Sequence, residues 1–393
     1  MRHLFILSFI LYSIVFAACS KKTSNNDDII TIDLSKKYEQ KEVHLQSVAD
    51  IEYVALETTD DVLLSGNCRL SYVSDKYIVI YQSSQGDIFI FNRNGKIAFH
   101  VNRKGQGGME YRSISNVIFD EKNEELFVID SQSLRRILVY TLKGEYKRIL
   151  KYSEDLLLAA YDFDDETFLV YDETGVNIRD WLEGKYSDTP YLFMSKNDGS
   201  MVSKLDFKLP VRYATIMNAG GKTNVLLPPY NRYFYGQDFV IADYSSDTIF
   251  KLSKNKELSP LLVRKPSVHS SNPLTFWTNL LTTDMFSILI KVTKDETNFT
   301  FPIDTLIHDF RTGETNKVTL INDDLPLEKN FPLGKGNENA FVFIPQKNVS
   351  ATLMQVITLK NAAEVNQLKG KLEKLVATLK EDDNPVLMIV KFK

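Results

Sequence analysis

The chain is poor in the residues that most catalytic and metal motifs require. Its 393 residues hold two cysteines, Cys19 and Cys68, and five histidines. His44, His100, His269 and His308 do not stand four apart or beside a cysteine, so no zinc signature is present and no metal site is expected. No Gly-x-Ser-x-Gly elbow occurs, which removes the commonest hydrolase nucleophile. Charge of one sign is not in excess: 47 Lys and Arg face 51 Asp and Glu, a net of -4, and no clustered basic face argues for nucleic acid. Beyond the N-terminal segment no run of 18 uncharged apolar residues occurs, so no later membrane span is expected. Two glycine loops imitate phosphate cradles. Gly105-Gln106-Gly107-Gly108 is followed by Met109-Glu110-Tyr111 and another strand rather than a helix, and reads as a connection between repeats. Gly220-Gly221-Lys222-Thr223 lacks the first glycine of a Walker motif, because Ile216 stands there. The acidic run Asp162-Phe163-Asp164-Asp165-Glu166 lacks the glycine and ligand spacing of a calcium loop and reads as a solvated turn. With no catalytic motif and no cofactor signature, the sequence predicts a non-enzyme.

What is present starts with an address. Arg2 and His3 precede an apolar stretch, Leu4 to Phe16, too short to cross a bilayer comfortably. Small residues, Ala17-Ala18, then lead to Cys19, and the segment resembles a bacterial lipobox. That resemblance implies cleavage of residues 1–18 and a lipid on Cys19. Several acyl chains together anchor stably where one binds only marginally. Residues 19–28, including Ser20 to Asp28, are polar, without aromatics, and read as a lipidated tether. An acylated Cys19 leaves Cys68 without a disulfide partner in the chain, so packing must supply the stability.

Residues 29–393 carry a repeat. Ile88-Phe89-Ile90-Phe91 is followed by Asn94-Gly95, a strong hairpin signal. Ile137-Leu138-Val139-Tyr140 is followed by Lys143-Gly144, and both strand end and glycine are displaced by 49 residues. Weaker copies end at Asp198-Gly199, Asn255-Lys256 and Thr312-Gly313. Upstream strand pairs such as Val117 to Phe119 and Leu126 to Asp130 complete a four-strand meander. A period near 50 residues with four strands suits a propeller blade. The expected fold is therefore all-β, a six-bladed β-propeller with four-stranded antiparallel blades plus one C-terminal helix. Val365, Leu368, Leu372, Leu375, Val376 and Leu379 place that helix at about 361–380, and a closing strand follows at about 386–392. Exposed sheet edges invite aggregation, so Ile51 to Leu56 is expected to pair into the last blade beside the C-terminal strands.

Several segments along the mature chain carry a family resemblance. They are Ala55-Leu56-Glu57-Thr58-Thr59-Asp60-Asp61, Ile88 to Lys96, Arg103-Lys104-Gly105-Gln106-Gly107-Gly108-Met109-Glu110-Tyr111, Asp247-Thr248-Ile249-Phe250 and Glu381 to Leu387. In that order the chain resembles the six-bladed β-propeller lipoproteins of Bacteroidetes, which are similar to NHL-repeat propellers. Gly108-Met109 departs from the Gly-Pro-Gly-Glu-Tyr run usual in that family, removing a rigid proline. The resemblance implies the six-bladed ring. The lipobox adds an expected address in the cell envelope, lipid-anchored through Cys19 to a bacterial membrane, with the outer membrane favoured over the inner and the leaflet left open. It implies no activity.

The function expected on these grounds is binding or scaffolding of a glycan, small ligand or protein partner at the mouth of the ring, where propellers gather their loops. The alternative is an NHL-like lyase or lactonase using channel carboxylates and a metal. Pro228-Pro229-Tyr230-Asn231-Arg232-Tyr233-Phe234-Tyr235 is the most suggestive surface stretch, since aromatics beside arginine can stack on sugar rings or grip an anion. Arg212, Tyr230, Arg232, Tyr233 and Tyr235 are the candidate ligand-binding residues. The competing reading packs Tyr233 and Tyr235 between blades.

Overall fold

A computed structural model describes residues 29–130, 136–152, 158–172, 187–209, 215–219, 222–226, 232–235, 238–326, 342–343 and 349–393. Seven sheets occur among the described residues: six follow one another around a ring, and the seventh is a two-stranded hairpin of Thr215–Ala219 and Lys222–Leu226. Blade 1 comprises Arg69–Val73, Tyr77–Gln82, Asp87–Asn92 and Ile97–Asn102, and blade 2 comprises Ile114–Asp120, Glu125–Asp130, Arg136–Thr141 and Tyr146–Lys151. Blade 3 comprises Leu158–Asp162, Thr167–Asp172, Tyr191–Ser195 and Met201–Lys204. Blades 4 and 5 run through Arg232–Tyr235, Asp238–Ile241, Thr248–Leu252 and Leu258–Lys265, then Thr275–Thr282, Phe286–Thr293, Ile303–Asp309 and Thr315–Ile321. Blade 6 holds Val342–Phe343, Val349–Met354 and Val386–Phe392. First strands of neighbouring blades touch, blade 6 with 1, 1 with 2 and 2 with 3, which puts them at the inner edge of the ring.

The middle strands read as unbroken apolar runs because each is covered on both faces. Alternate side chains of Tyr77–Gln82 and Asp87–Asn92 point to different neighbours. Ile78, Ile80, Phe89 and Phe91 join a core with Ala351, Leu387 and Ile389 of blade 6. Val79, Ile88 and Ile90 join a second core with Val117, Phe119, Val128 and Leu138 of blade 2. The hydrophobic core is thus a set of layers between blades. The repeated hairpin turn joins the third and fourth strands of blades 1 to 5. Gly95 has φ +84° and its N–H donates to Asn92 O at 2.8 Å. A Cβ at Gly95 would sit 2.1 Å from Ala55 O, so both conformation and space demand glycine. In blade 4 the glycine is missing and Lys256 takes the positive φ, +66°.

The N-terminal segment laces the outside of half the ring. Strand β1 (Ile30–Asp33) adds a parallel fifth strand to blade 4, with Ile30 opposite Leu262 and Asp33 opposite Lys265. Strand β2 (Gln40–His44) does the same on blade 5, with Gln40 opposite Lys317 and His44 opposite Ile321. A single turn, α1 (Leu45–Val48), leads to strand β3 (Ala49–Ala55), which completes blade 6 antiparallel to Val386–Phe392, Ala49 opposite Phe392 and Ala55 opposite Val386. The expected pairing of Ile51 to Leu56 with the C-terminal strands is therefore present. The two parallel additions were not expected from the sequence.

The C-terminal helical segment differs from expectation. In place of one helix over 361–380 there are two, α2 (Val356–Glu364) and α3 (Gly370–Ala377). The apolar spacing is real: Leu359, Leu368, Leu372 and Val376 pack into the core between blades 5 and 6. Backbone conformation interrupts it, because Asn366 and Gly370 adopt φ +56° and +60°. A Cβ on Gly370 would lie 2.2 Å from Asp324 Oδ1, while Lys369 N donates to Asp324 O at 2.9 Å. Val365, an apolar member of the predicted stripe, is 60% exposed in the break.

Candidate functional site

Of the residues singled out in the sequence, Cys19, Arg212 and Tyr230 lie outside the described residues. Arg232, Tyr233 and Tyr235 fall on the first strand of blade 4, opposite Ile241, Val240 and Asp238. The structure brings those three onto one inner strand.

The Gly105 loop is a closed connection between blades 1 and 2. Gly107 N donates to Glu110 Oε2 at 2.7 Å, Gly105 N to Tyr111 O at 3.0 Å, and Tyr140 Oη to Met109 O at 2.8 Å. Arg136 donates to Gly108 O and Glu110 O at 3.1 and 2.7 Å. Backbone groups that would hold a phosphate are spent within the loop. Lys222 and Thr223 of the other imitation open a β-strand, Lys222–Leu226, instead of a helix.

A polar crevice of about 380 Å³ lies between blades 2 and 3. It opens on the face that carries the turns between first and second strands and between third and fourth strands. Blade 2 supplies Asp120, Asn123, Glu125, Phe127 and Arg148; blade 3 supplies Asp165, Glu166, Ser195, Lys196 and Asn197. Burial inside this crevice is unusual for charged groups, which are rarely enclosed unless paired. Lys196 and Asp120 each expose 7% of the side chain, and Glu125 exposes 8%.

Pairing explains it. Lys196 Nζ lies 3.2 Å from Asp120 Oδ2 and 2.5 Å from Asp162 Oδ1, so one ammonium bridges the two blades. Arg148 grips Glu125 through two bonds of 2.8 Å and donates to Lys196 O at 2.9 Å. Lys147 pairs with Glu125 as well. The Arg148 guanidinium lies 5.5 Å above the Phe127 ring, and Phe127 meets Phe168 edge-on at 4.9 Å. Burial works against ionisation of Asp120 and Glu125, but it is outweighed. Hydrogen bonds from Asn123 and the Lys196 charge hold Asp120 below the usual carboxylate range, and Arg148 and Lys147 do the same for Glu125. At Asp162 burial prevails over Lys196 and the carboxyl is pushed up. The acidic run expected as a solvated turn is a turn: Asp164 Oδ1 accepts from Glu166 N and Thr167 N. Its first residue, Asp162, nonetheless pairs with Lys196. Among the described residues no group of three His, Cys, Asp or Glu is placed to hold a metal ion.

The six sheets, their cyclic layering and the closure by β3 define a six-bladed β-propeller. The chain belongs to the family defined by a domain of unknown function, DUF4934, whose pattern matches residues 29–391. Among solved structures, a protein from Bacteroides fragilis assigned as exported is similar over 93% of this chain and 99% of its own, at 17% identity and a TM-score of 0.61. A member of the DUF4221 family from Bacteroides vulgatus aligns over 88% and 99% at 10% identity, TM-score 0.46. Virginiamycin B lyase from Staphylococcus aureus aligns over 88% and 100% at 10% identity, TM-score 0.40. No curated protein matches the sequence.

Proposed function

We propose that this protein is an exported envelope lipoprotein, held to the membrane by lipid on Cys19, that binds or scaffolds a glycan, small ligand or protein partner and performs no catalysis. The carrying observation is where the chain joins the ring. Strand β1 starts at Ile30 on the outer edge of blade 4, beyond Leu258–Lys265. A tether over residues 19–28 would thus attach at the circumference, away from the central channel, and would leave the channel mouth to a ligand. The exported assignment of the Bacteroides fragilis structure agrees with that address. No helix of the described residues is long and apolar enough to cross a membrane, so a lipid is the attachment the reading invokes. Arg232, Tyr233 and Tyr235, on the inner strand of blade 4, are the residues this reading places nearest a ligand at the mouth.

The anchor is tested by fractionation of Cys19→Ala. Release of the variant into the soluble envelope fraction is expected, and retention in membranes overturns the lipid anchor. The binding role is tested by screening the chain against glycans, metabolites and envelope proteins, with turnover monitored in parallel. Saturable binding without turnover supports the reading, and turnover of any ligand overturns the non-catalytic part.

A further inference from the structure

We propose that the outer edge of blade 3, Met201–Lys204, takes up an extended segment of a partner protein as a fifth strand. The site lies on the circumference, so the proposal depends on neither a ligand at the channel mouth nor a lipid on Cys19. An open strand edge is a template for pairing with another chain, and soluble proteins cover or charge such edges. The other blades are treated in this way. Strands β1 and β2 cover blades 4 and 5. In blade 1 the edge residue Ile97 donates its N–H to Glu57 Oε2 at 2.8 Å. Blade 2 carries Lys147, Arg148 and Lys151 along its outer strand. In blade 6, Leu372 and Val376 of α3 share a core with Ile51 of β3. Blade 3 differs. All four residues of its outer strand are exposed, Met201 by 61% and Val202 by 53%, and no fifth strand joins that sheet among the described residues.

The ring itself shows what a fifth strand looks like. Strand β1 has four residues, as Met201–Lys204 has, and it joins blade 4 beside a strand that likewise ends in lysine. Ile32, with Ile30 beside it, packs into the core with Leu262. Asp33 lies opposite Lys265, its Oδ2 3.7 Å from Nζ. Blade 3 offers the same terms. Leu205 N donates to Tyr191 O at 2.9 Å, so Lys204, opposite Leu192, belongs to a non-hydrogen-bonded pair and turns its N–H and C=O to the open edge. Met201 and Val202 supply apolar surface, and Lys204 has no ion-pair partner among the described residues. The partner segment is therefore extended, with branched apolar residues at alternate positions and a carboxylate to meet Lys204. Main-chain bonds hold such a strand and its alternate side chains select it.

The test uses the full chain, with hydrogen exchange read by mass spectrometry over residues 200–206. The probe is the peptide acetyl-Ile-Thr-Ile-Asp-Leu-Ser-amide, which copies Ile30–Ser35. One control peptide carries Lys in place of Asp, and another Pro in place of the second Ile. Fast exchange is expected in the free chain, with saturable slowing at about millimolar probe, the strength of a ladder of about four hydrogen bonds. Lys204→Glu is expected to invert the preference between the Asp and Lys peptides, from about threefold one way to about threefold the other, the size of an exposed ion pair. Lys204→Pro removes the outward N–H without touching a bond inside the blade, and is expected to abolish the protection. Lys204 is exposed, so Lys204→Glu leaves the thermal midpoint unchanged and carries the test if Lys204→Pro fails to fold. Slow exchange in the free chain at every concentration means that the chain's own residues cover the edge. Protection that rises with protein concentration means that a second copy does. Either result overturns the proposal, as does no slowing with the probe, equal slowing with the Pro peptide, protection kept in folded Lys204→Pro, or a preference unchanged in Lys204→Glu.

Discussion

Asn384 is the residue whose removal tests ring closure most directly. It is 2% exposed and lies at the start of the last strand of blade 6. Its side-chain Nδ2 donates to Glu57 O and Val62 O, both at 2.7 Å, and its Oδ1 accepts from Leu64 N at 2.8 Å. Its own N–H donates to Thr58 Oγ1 at 2.8 Å. One side chain therefore fastens the 57–64 connection, which leads from β3 into blade 1, to the C-terminal strand. Asn384→Ala removes three hydrogen bonds worth about 1 kcal/mol each and leaves the buried Val62 carbonyl only a long 3.5 Å bond from Thr59 N, while water can reach the half-buried Glu57 and Leu64. The expected cost is about 3 kcal/mol. Asn384→Asp keeps the acceptor for Leu64 N but sets a carboxylate against two carbonyls, and should cost as much at neutral pH. Guanidinium unfolding followed by circular dichroism measures the loss. Hydrogen exchange then locates it, with protection falling first in Ala49–Ala55 and Val386–Phe392. A loss below about 1 kcal/mol, or protection falling evenly over all blades, refutes the idea that this pin closes the ring.

Gly95→Ala should cost about 2–4 kcal/mol in the same unfolding assay, since a left-handed alanine and a Cβ 2.1 Å from Ala55 O act together. Gly313→Ala is its control, with φ +72° but open space around the new Cβ, and should lose only about 1 kcal/mol. Lys196→Met leaves the buried Asp120 and the half-buried Asp162 without their cation and should cost about 3 kcal/mol at pH 7. That gap should narrow as pH falls through the carboxylate range. Asp120, held low in the folded protein, stabilises it above its unfolded pKa and loses that contribution on acidification, and the variant, which keeps only the Asn123 hydrogen bonds, has less to lose. A gap independent of pH between 7 and 4 argues that Lys196 acts through packing alone.

Local rules read the blades well because each blade is a local object. The Asn94-Gly95 hairpin, the apolar run Ile88 to Phe91 and their displaced copies need only neighbouring residues to be meaningful, and the structure places strands and positive-φ turns there. The sequence misled where tertiary contact sets the backbone. The stripe from Val365 to Leu379 has helical spacing throughout, yet Asp324, about 45 residues before Lys369, takes the Lys369 N–H and crowds Gly370, and the helix splits.

Two features were illegible for a deeper reason. Strand β2, Gln-Lys-Glu-Val-His, is exposed along nearly its whole length, with no buried face to impose a period of two. What makes it a strand is the free edge of blade 5, to which it pairs with Gln40 opposite Lys317. The crevice is similar. Lys196 is 76 residues from Asp120, and Arg148 is 23 from Glu125, and each looks like an ordinary surface charge in its own segment. The Arg148–Glu125 pair spans the strands of blade 2, and the Lys196–Asp120 pair exists only because a fixed blade period puts the turns of blade 2 beside those of blade 3. A repeat architecture makes such sites predictable in principle. Charges at equivalent turn positions one blade apart must face each other across the seam, so the period that revealed the fold also says which distant charges can meet. In this chain the rule pairs the Asp120–Glu125 turn with the Asp164–Glu166 turn, and there Lys122 meets Asp165.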